Sequence, residues 1–294
     1  MFARCSVLSL AAASAAALAL LTPFPLTHAV GADLPLFDAH VHWSENAHDE
    51  IPLERALSIL DKSGVRMAAV SSTSDEATVR MYRADPKRVV PMLRPYRTRA
   101  DMGGWAKDAG IPPYLAERLK LGVHKGIGEF HLYGEDAASP VMKEIVAMAV
   151  SRNLILHAHS DARAVEILFR HDPRARILWA HAGFTNAAEV GAMMARYPNL
   201  WVETAIRHDI GPGGALADEW KAVFLKYPDR WLVGTDSYVT SRWHRMEEIH
   251  AETRAWLAKL PRDVAEKLAW RNGVKLFGVP EDAFTAPAPA KKAE

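Results

Sequence analysis

The alternation of short apolar runs with amphipathic stretches predicts a single-domain α/β protein, a closed (β/α)8 (TIM) barrel. Three observations predict it: eight apolar runs between residues 36 and 236, helical spacing between them, and a span, 33–280, of the size of one such barrel. The balance of 36 Lys and Arg against 35 Asp and Glu, with 49% hydrophobic residues, suits a folded globular chain. It also excludes nucleic acid as the main partner, because no basic excess or block of Lys and Arg is present. A homo-oligomer is compatible with the sequence.

Residues 1–30 are set apart from the barrel. Met1 to Arg4 is a short basic start, an uncharged Ala/Leu run follows over 7–21, and Thr27-His28-Ala29 or Val30-Gly31-Ala32 offers small-residue cleavage sites. This pattern predicts a secretory signal peptide. The run is shorter than the roughly 20 residues that span a bilayer. Pro23 and Pro25 follow it, so no stable membrane insertion is expected after cleavage. Export in a bacterium leads to the periplasm. Cys5, the one cysteine, leaves with the leader, so the mature chain can build neither a disulfide nor a thiolate zinc site. At the other end, 281–294 is Ala/Pro-rich and is expected to be a disordered tail.

Between these ends, strands are predicted over 36–42, 65–72, 88–95, 122–130, 153–159, 176–181, 199–204 and 230–236. Val141, Ile145, Met148 and Ala149, like Ala164, Val165, Leu168 and Phe169, repeat at helical spacing and give each helix one apolar face. Alternating strand and helix implies a parallel sheet with right-handed crossovers. No strand runs into a Gly-x-Gly-x-x-Gly turn, which argues against an open nucleotide-binding sheet.

A barrel enzyme keeps its chemistry at the C-terminal ends of its strands. The first ends Asp38-Ala-His40-Val-His42, and alternation sends all three side chains to one face, where two imidazoles can share one metal ion. The fourth ends in Glu129, the fifth in His157-Ala-His159, the sixth in His181 and the eighth in Gly234-Thr-Asp236. Lys125 shares the face of Glu129 but sits deeper, and His131 is expected beside Glu129. Imidazole and carboxylate without thiolate suit zinc, manganese, iron or nickel.

With these residues in this order, the chain resembles the amidohydrolase superfamily of metal-dependent barrel enzymes, in its amidohydrolase-related (amidohydrolase 2) branch. Asp38-Ala-His40-Val-His42 is similar to its opening D-x-H-x-H. His157, Ala180-His181-Ala-Gly183 and Gly234-Thr-Asp236 stand for its later signposts, and 271–278 for its terminal N-A-x-R-L-F-G segment. The resemblance implies a divalent metal centre of one or two ions, with His40, His42, His157 and Asp236 as ligands. His181 is then a ligand or a catalytic imidazole, and Glu129 takes the bridging position found in TatD-like and phosphotriesterase-like barrels, with His157 and His181 around a second ion. The implied activity is hydrolysis of a small amide, ester or lactone by a metal-activated water, whose pKa falls to about 7. Asp236 is the expected general base, and Asp38 the acceptor that orients a ligand imidazole. The alternatives are a decarboxylase of the same fold and a non-catalytic exported barrel that binds metal or ligand.

Substrate contacts are expected from the loops. Arg94 could clamp a substrate carboxylate or pair with Glu129 or Asp38, Arg97 and Arg99 follow it, and His159 and His208 are further candidates. Thr204, Tyr238 and Trp243 are candidate wall residues. His48, His124, His171, His244 and His250 read as surface or helix positions without a role.

Overall fold

The computed structural model describes residues 34–285. Eight parallel strands neighbour one another in chain order. They are β1 (Leu36–Val41), β2 (Val65–Val70), β3 (Val89–Leu93), β4 (Gly126–Leu132), β5 (Ile155–Ser160), β6 (Arg176–Trp179), β7 (Leu200–Glu203) and β8 (Trp231–Leu232). Every strand overlaps the apolar run that predicts it. Helices α1 (Leu53–Lys62), α2 (Asp75–Ala84), α3 (Ile111–Arg118), α4 (Pro140–Ser151), α5 (Ala162–His171), α6 (Ala187–Arg196) and α7 (Asp218–Lys226) follow the first seven strands in turn. After β8 come α8 (Thr240–His244), α9 (Met246–Leu257), α10 (Arg262–Glu266), α11 (Asn272–Phe277) and α12 (Asp282–Thr285). This is a (β/α)8 barrel.

Local chemistry fixes where the helices begin. Ser139 caps α4 by accepting from the Met142 amide, Pro140 occupies the first turn, and Val141, Ile145 and Ala149 are buried. Asp161 caps α5 in the same way through Ala164, and the helix buries Ala164, Val165, Leu168 and Phe169 against the barrel. In α11, Asn272 donates its amide to the carbonyls of Pro228 and Trp231, while Phe277 stacks on Phe37 with centroids 5.2 Å apart. The closing segment thereby packs onto β1 and β8.

Six strands end before their apolar runs do, β8 by the most, and the ends of β6 and β8 shape the mouth. β6 stops at Trp179 because His181, Ala182 and Gly183 all adopt left-handed backbone. β8 keeps two residues, and closure against β1 passes to one bridge, Asp38 with Val233, and to the Asp38 side chain. Asp38 Oδ1 accepts from the amides of His40 and Thr235, each at 3.0 Å; Oδ2 accepts from Thr235 Oγ1 at 2.6 Å and lies 3.1 Å from His250 Nε2. Asp38 thus bolts the seam and does not orient a ligand imidazole as expected from the sequence. His250, to which the sequence reading gives no role, is buried in this bolt. Asp38→Ala would strand several buried donors at roughly 1–3 kcal/mol each. A loss of about 3 kcal/mol, read as a fall of roughly 6–12 °C in thermal midpoint by calorimetry, is the expected result.

The leader expected over 1–30 and residues 286–294 lie outside the described residues. The tail begins later than 281, because Phe284 of α12 is buried, stacking 5.0 Å from Trp270 and 6.4 Å from Phe37. Among the described residues no helix is long and apolar enough to cross a membrane.

Candidate metal centre

β1 delivers His40 and His42 together, with their Nε2 atoms 3.0 Å apart. Asp236 meets them because its amide donates to the His40 carbonyl at 2.7 Å and its backbone turns left-handed, at φ 54. Its Oδ1 lies 3.3 Å from His42 Nε2 and 3.7 Å from His40 Nε2. Glu129 joins from β4 through a bulge: Gly128 pairs with His157 and Phe130 with Ala158, leaving Glu129 as the extra residue, turned inward. Gly128 is required there, since φ is 126 and a Cβ would sit 2.2 Å from the His157 carbonyl oxygen.

The two oxygens of Glu129 face different imidazoles. Oε2 is 3.1 Å from His42 Nε2 and 3.5 Å from His40 Nε2, whereas Oε1 is 2.9 Å from His159 Nδ1 and 3.6 Å from His181 Nε2. Asp236 divides similarly, with Oδ2 3.7 Å from His181 Nε2. His157 lies on another side of His40, its ring 4.6 Å away and its Nε2 3.8 Å from Glu203 Oε1. It is therefore against Glu203, with His181 and His159 facing Glu129.

Glu203, not among the residues the sequence predicts for the site, is fully buried at the end of β7. It lies 2.9 Å from His40 Nδ1 and accepts from the amides of His181, at 2.8 Å, and Ala205. This is the orienting role assigned in advance to Asp38. The signal was present, because an acid ends an apolar strand here just as at Glu129.

Hydrogen bonding on the far side of each ring fixes the tautomers. His40 Nδ1 donates to Glu203, His42 Nδ1 to the Ser71 carbonyl and His181 Nδ1 to the Ala205 carbonyl at 2.9 Å. The three Nε2 atoms are thereby left facing the carboxylate oxygens. His157 Nε2, His181 Nε2 and Asp236 Oδ1 are buried without a hydrogen-bond partner. Burial alone would depress the His40 pKa, but the carboxylates of Asp236, Glu129 and Glu203 raise it well above the ordinary imidazole value. Burial also opposes ionisation of Glu129 and Glu203, yet the surrounding imidazoles, His40 foremost, hold both well below the usual carboxylate range. His157, buried beside His40, is pushed down to about 4. Such a concentration of buried charge calls for a counter-ion.

The remaining predicted residues separate. Arg94 is buried and pairs with Glu129, Nη2 to Oε2 at 3.1 Å and Nε to the carbonyl at 3.0 Å, so the internal ion pair is the alternative observed. His131 lies beside His159, ring centroids 4.4 Å apart, and its amide donates to Tyr96 Oη. Lys125 is exposed before β4 and lies off the inner face. His208 is exposed and lines a cavity of about 210 Å³ with Thr204, Arg207 and Arg242, none of them a cluster residue. Trp243 is buried and donates to the His42 carbonyl, whereas Tyr238 is exposed. His124, expected at the surface, is buried against Asp75 at 2.9 Å.

Among the described residues Asn153, His181, Ala182, Phe184, Ile206 and Asp236 have positive φ without being glycine. Such backbone costs roughly 1–2 kcal/mol per residue, and four of the six lie at or within three residues of a cluster ligand candidate. Strain is concentrated where this barrel gathers its ionisable groups.

An eight-stranded barrel with convergent imidazoles and carboxylates at its C-terminal mouth defines the class of barrel proteins whose site could hold divalent metal. The chain belongs to the amidohydrolase family, whose family model matches residues 37–279. Solved structures share the fold. An uncharacterized TIM-barrel protein from Bordetella bronchiseptica is 13% identical, with TM-score 0.62, over 83% of this chain and 99% of that one. A probable 2-pyrone-4,6-dicarboxylic acid hydrolase from Acinetobacter baumannii, with citric acid bound, is 12% identical, with TM-score 0.59, over 83% and 100%. An amidohydrolase from Burkholderia multivorans with bound zinc is 12% identical, with TM-score 0.54, over 84% and 100%. At these identities the likeness shows the fold alone. No curated protein matches the chain.

Proposed function

We propose that the cluster is a divalent metal centre and that the protein hydrolyses the carbonyl group of a small ester, lactone or amide. The observation that carries this reading is the set of three imidazoles whose Nδ1 atoms are engaged and whose Nε2 atoms face carboxylate oxygens. The unpartnered His157 Nε2, His181 Nε2 and Asp236 Oδ1 fit the same group, since buried polar atoms otherwise carry a desolvation cost. His40, His42, Asp236 and Glu129 would hold one cation, with His157 as the further imidazole at His40; Glu129, His181 and His159 would hold a second. Zinc in the Burkholderia multivorans amidohydrolase supports zinc as the first metal to test.

A bound divalent cation would supply Lewis acidity, acidifying a water and polarising the substrate carbonyl. Asp236 would take the proton of the attacking water through its unpartnered Oδ1 and return it to the leaving group. His181 donates from Nδ1 to the Ala205 carbonyl and presents Nε2 to Glu129 and Asp236, which suits holding a cation or moving a proton. Arg94 holds Glu129 in place by donating to its Oε2 and to its carbonyl.

Reconstitution with zinc, manganese, iron or nickel, followed by an ester, lactone and amide panel, tests the reading. Hydrolysis should disappear on chelation and return with metal. Carbon dioxide release from carboxylated substrates without hydrolysis would move the protein to the decarboxylases, and inertness to the whole panel would overturn catalysis. Glu203→Gln is expected to weaken metal affinity about 10- to 100-fold in chelator competition, because His40 loses its carboxylate acceptor. The leader pattern supports periplasmic export, which N-terminal sequencing of protein recovered from that compartment would check.

A further inference from the structure

Asp236 points its carboxylate at His40, His42 and His181 from left-handed backbone, at φ 54. That conformation is disfavoured for a residue with a side chain, so neighbouring groups must hold it. On one side the Asp236 N–H donates to the His40 carbonyl at 2.7 Å. On the other the hold comes from Arg242 of α8, six residues further along. Its Nε donates to the Asp236 carbonyl at 2.7 Å and to the Thr235 carbonyl at 3.2 Å, and its Nη2 donates to the Thr235 carbonyl at 2.5 Å. In an extended strand successive carbonyls point in opposite directions. One guanidinium can therefore take both only when Asp236, which lies between them, is turned. Arg242 is half-buried and borders the cavity of about 210 Å³, so space filling does not dictate its place. The next residue, Trp243, donates to the His42 carbonyl at 3.1 Å, and Ser237 Oγ accepts from the His42 amide at 3.0 Å. One turn of α8 thus touches the backbone of both segments whose side chains meet in the cluster.

We infer that Arg242 is a positioning residue, which locks the left-handed turn at Asp236 and so aims that carboxylate at the imidazoles. It acts on the cluster through Asp236, and its effect on cation binding rests on the reading of the cluster as a metal centre. A group that binds only the turned form shifts the backbone towards that form. Arginine suits the task, because its planar fork holds several donors at fixed spacing and keeps its charge at every working pH. Lysine supplies the charge without the fork, and a methionine supplies neither.

Two measurements on the full-length protein test this. In the metal-free protein, R242M should speed amide hydrogen exchange over residues 233–239 by about 10- to 100-fold, the range of a charge-assisted hydrogen bond, while exchange over 126–132 of β4 stays as in the wild type. R242K should lie between the two. In competition between zinc and a chelator, R242M should weaken zinc binding about 10- to 100-fold, and R242K by less. D236A should weaken it as well, and the double variant R242M/D236A should bind zinc no more weakly than D236A alone. A general structural role for Arg242 would instead make the two losses add. Unchanged exchange over 233–239 in R242M, exchange that rises equally over 126–132, or a loss of affinity that persists on top of D236A would overturn the positioning role. If the wild type binds none of zinc, manganese, iron or nickel while R242M still speeds exchange over 233–239 alone, the turn is held as inferred and the metal centre falls.

Discussion

Replacing Glu129 by glutamine is expected to lower bound metal from two ions per chain to one, measured by elemental analysis of the purified protein. The reason is the division of its oxygens, Oε2 towards His40 and His42 and Oε1 towards His159 and His181. An amide keeps the shape but offers one oxygen and no charge. The variant also deprives the buried Arg94 of its carboxylate. Leaving one partner of a buried pair uncompensated costs about 3–5 kcal/mol, so a clear fall in thermal midpoint should accompany the loss of metal. One ion in both proteins would show that Glu129 does not bridge and would leave His181 to serve catalysis.

The second large effect is at Asp236. Asp236→Asn removes the group assigned to carry the proton between water and leaving group, and general-base catalysis is worth about 10²- to 10⁴-fold. Turnover should fall by that factor when measured at saturating metal, because Asp236 also faces the imidazoles that would hold the cation. Circular dichroism should be unchanged, since the strand connection at this point runs through the Asp236 amide and not the carboxylate. An unchanged rate would sink the assignment.

The barrel was legible because each strand is a short apolar run set between amphipathic helices, and such periodicity survives in any surrounding sequence. The site was legible where strand alternation alone decides direction. His40 and His42 face inward for that reason. Glu129 was found for an incomplete reason: Gly128, paired with His157, holds the inward position, and only the bulge turns Glu129 inward as well. Bulges depend on local backbone geometry, here a glycine at φ 126 pressed against the next strand, and no periodicity reports them.

Glu203 and Asp38 show the limit from the other side. Both are acids on strands leading to the mouth, and sequence pattern gives no means of telling which one touches an imidazole of the cluster. The answer depends on which strand end reaches His40, here that of β7 past the short β8, and on the two-residue length of β8, which leaves Thr235 free to bind Asp38. The role of Arg94 was undecidable for a similar reason, because a guanidinium on a strand end can turn inward to Glu129 or outward to a ligand.

The seam between β8 and β1 has a consequence for biogenesis. His40 and His42 are made early and Asp236 late, nearly two hundred positions further along, and the Asp38 bolt joins them only after β8 exists. A nascent or truncated chain therefore has no complete cradle. A cation held by these residues would be captured only after barrel closure.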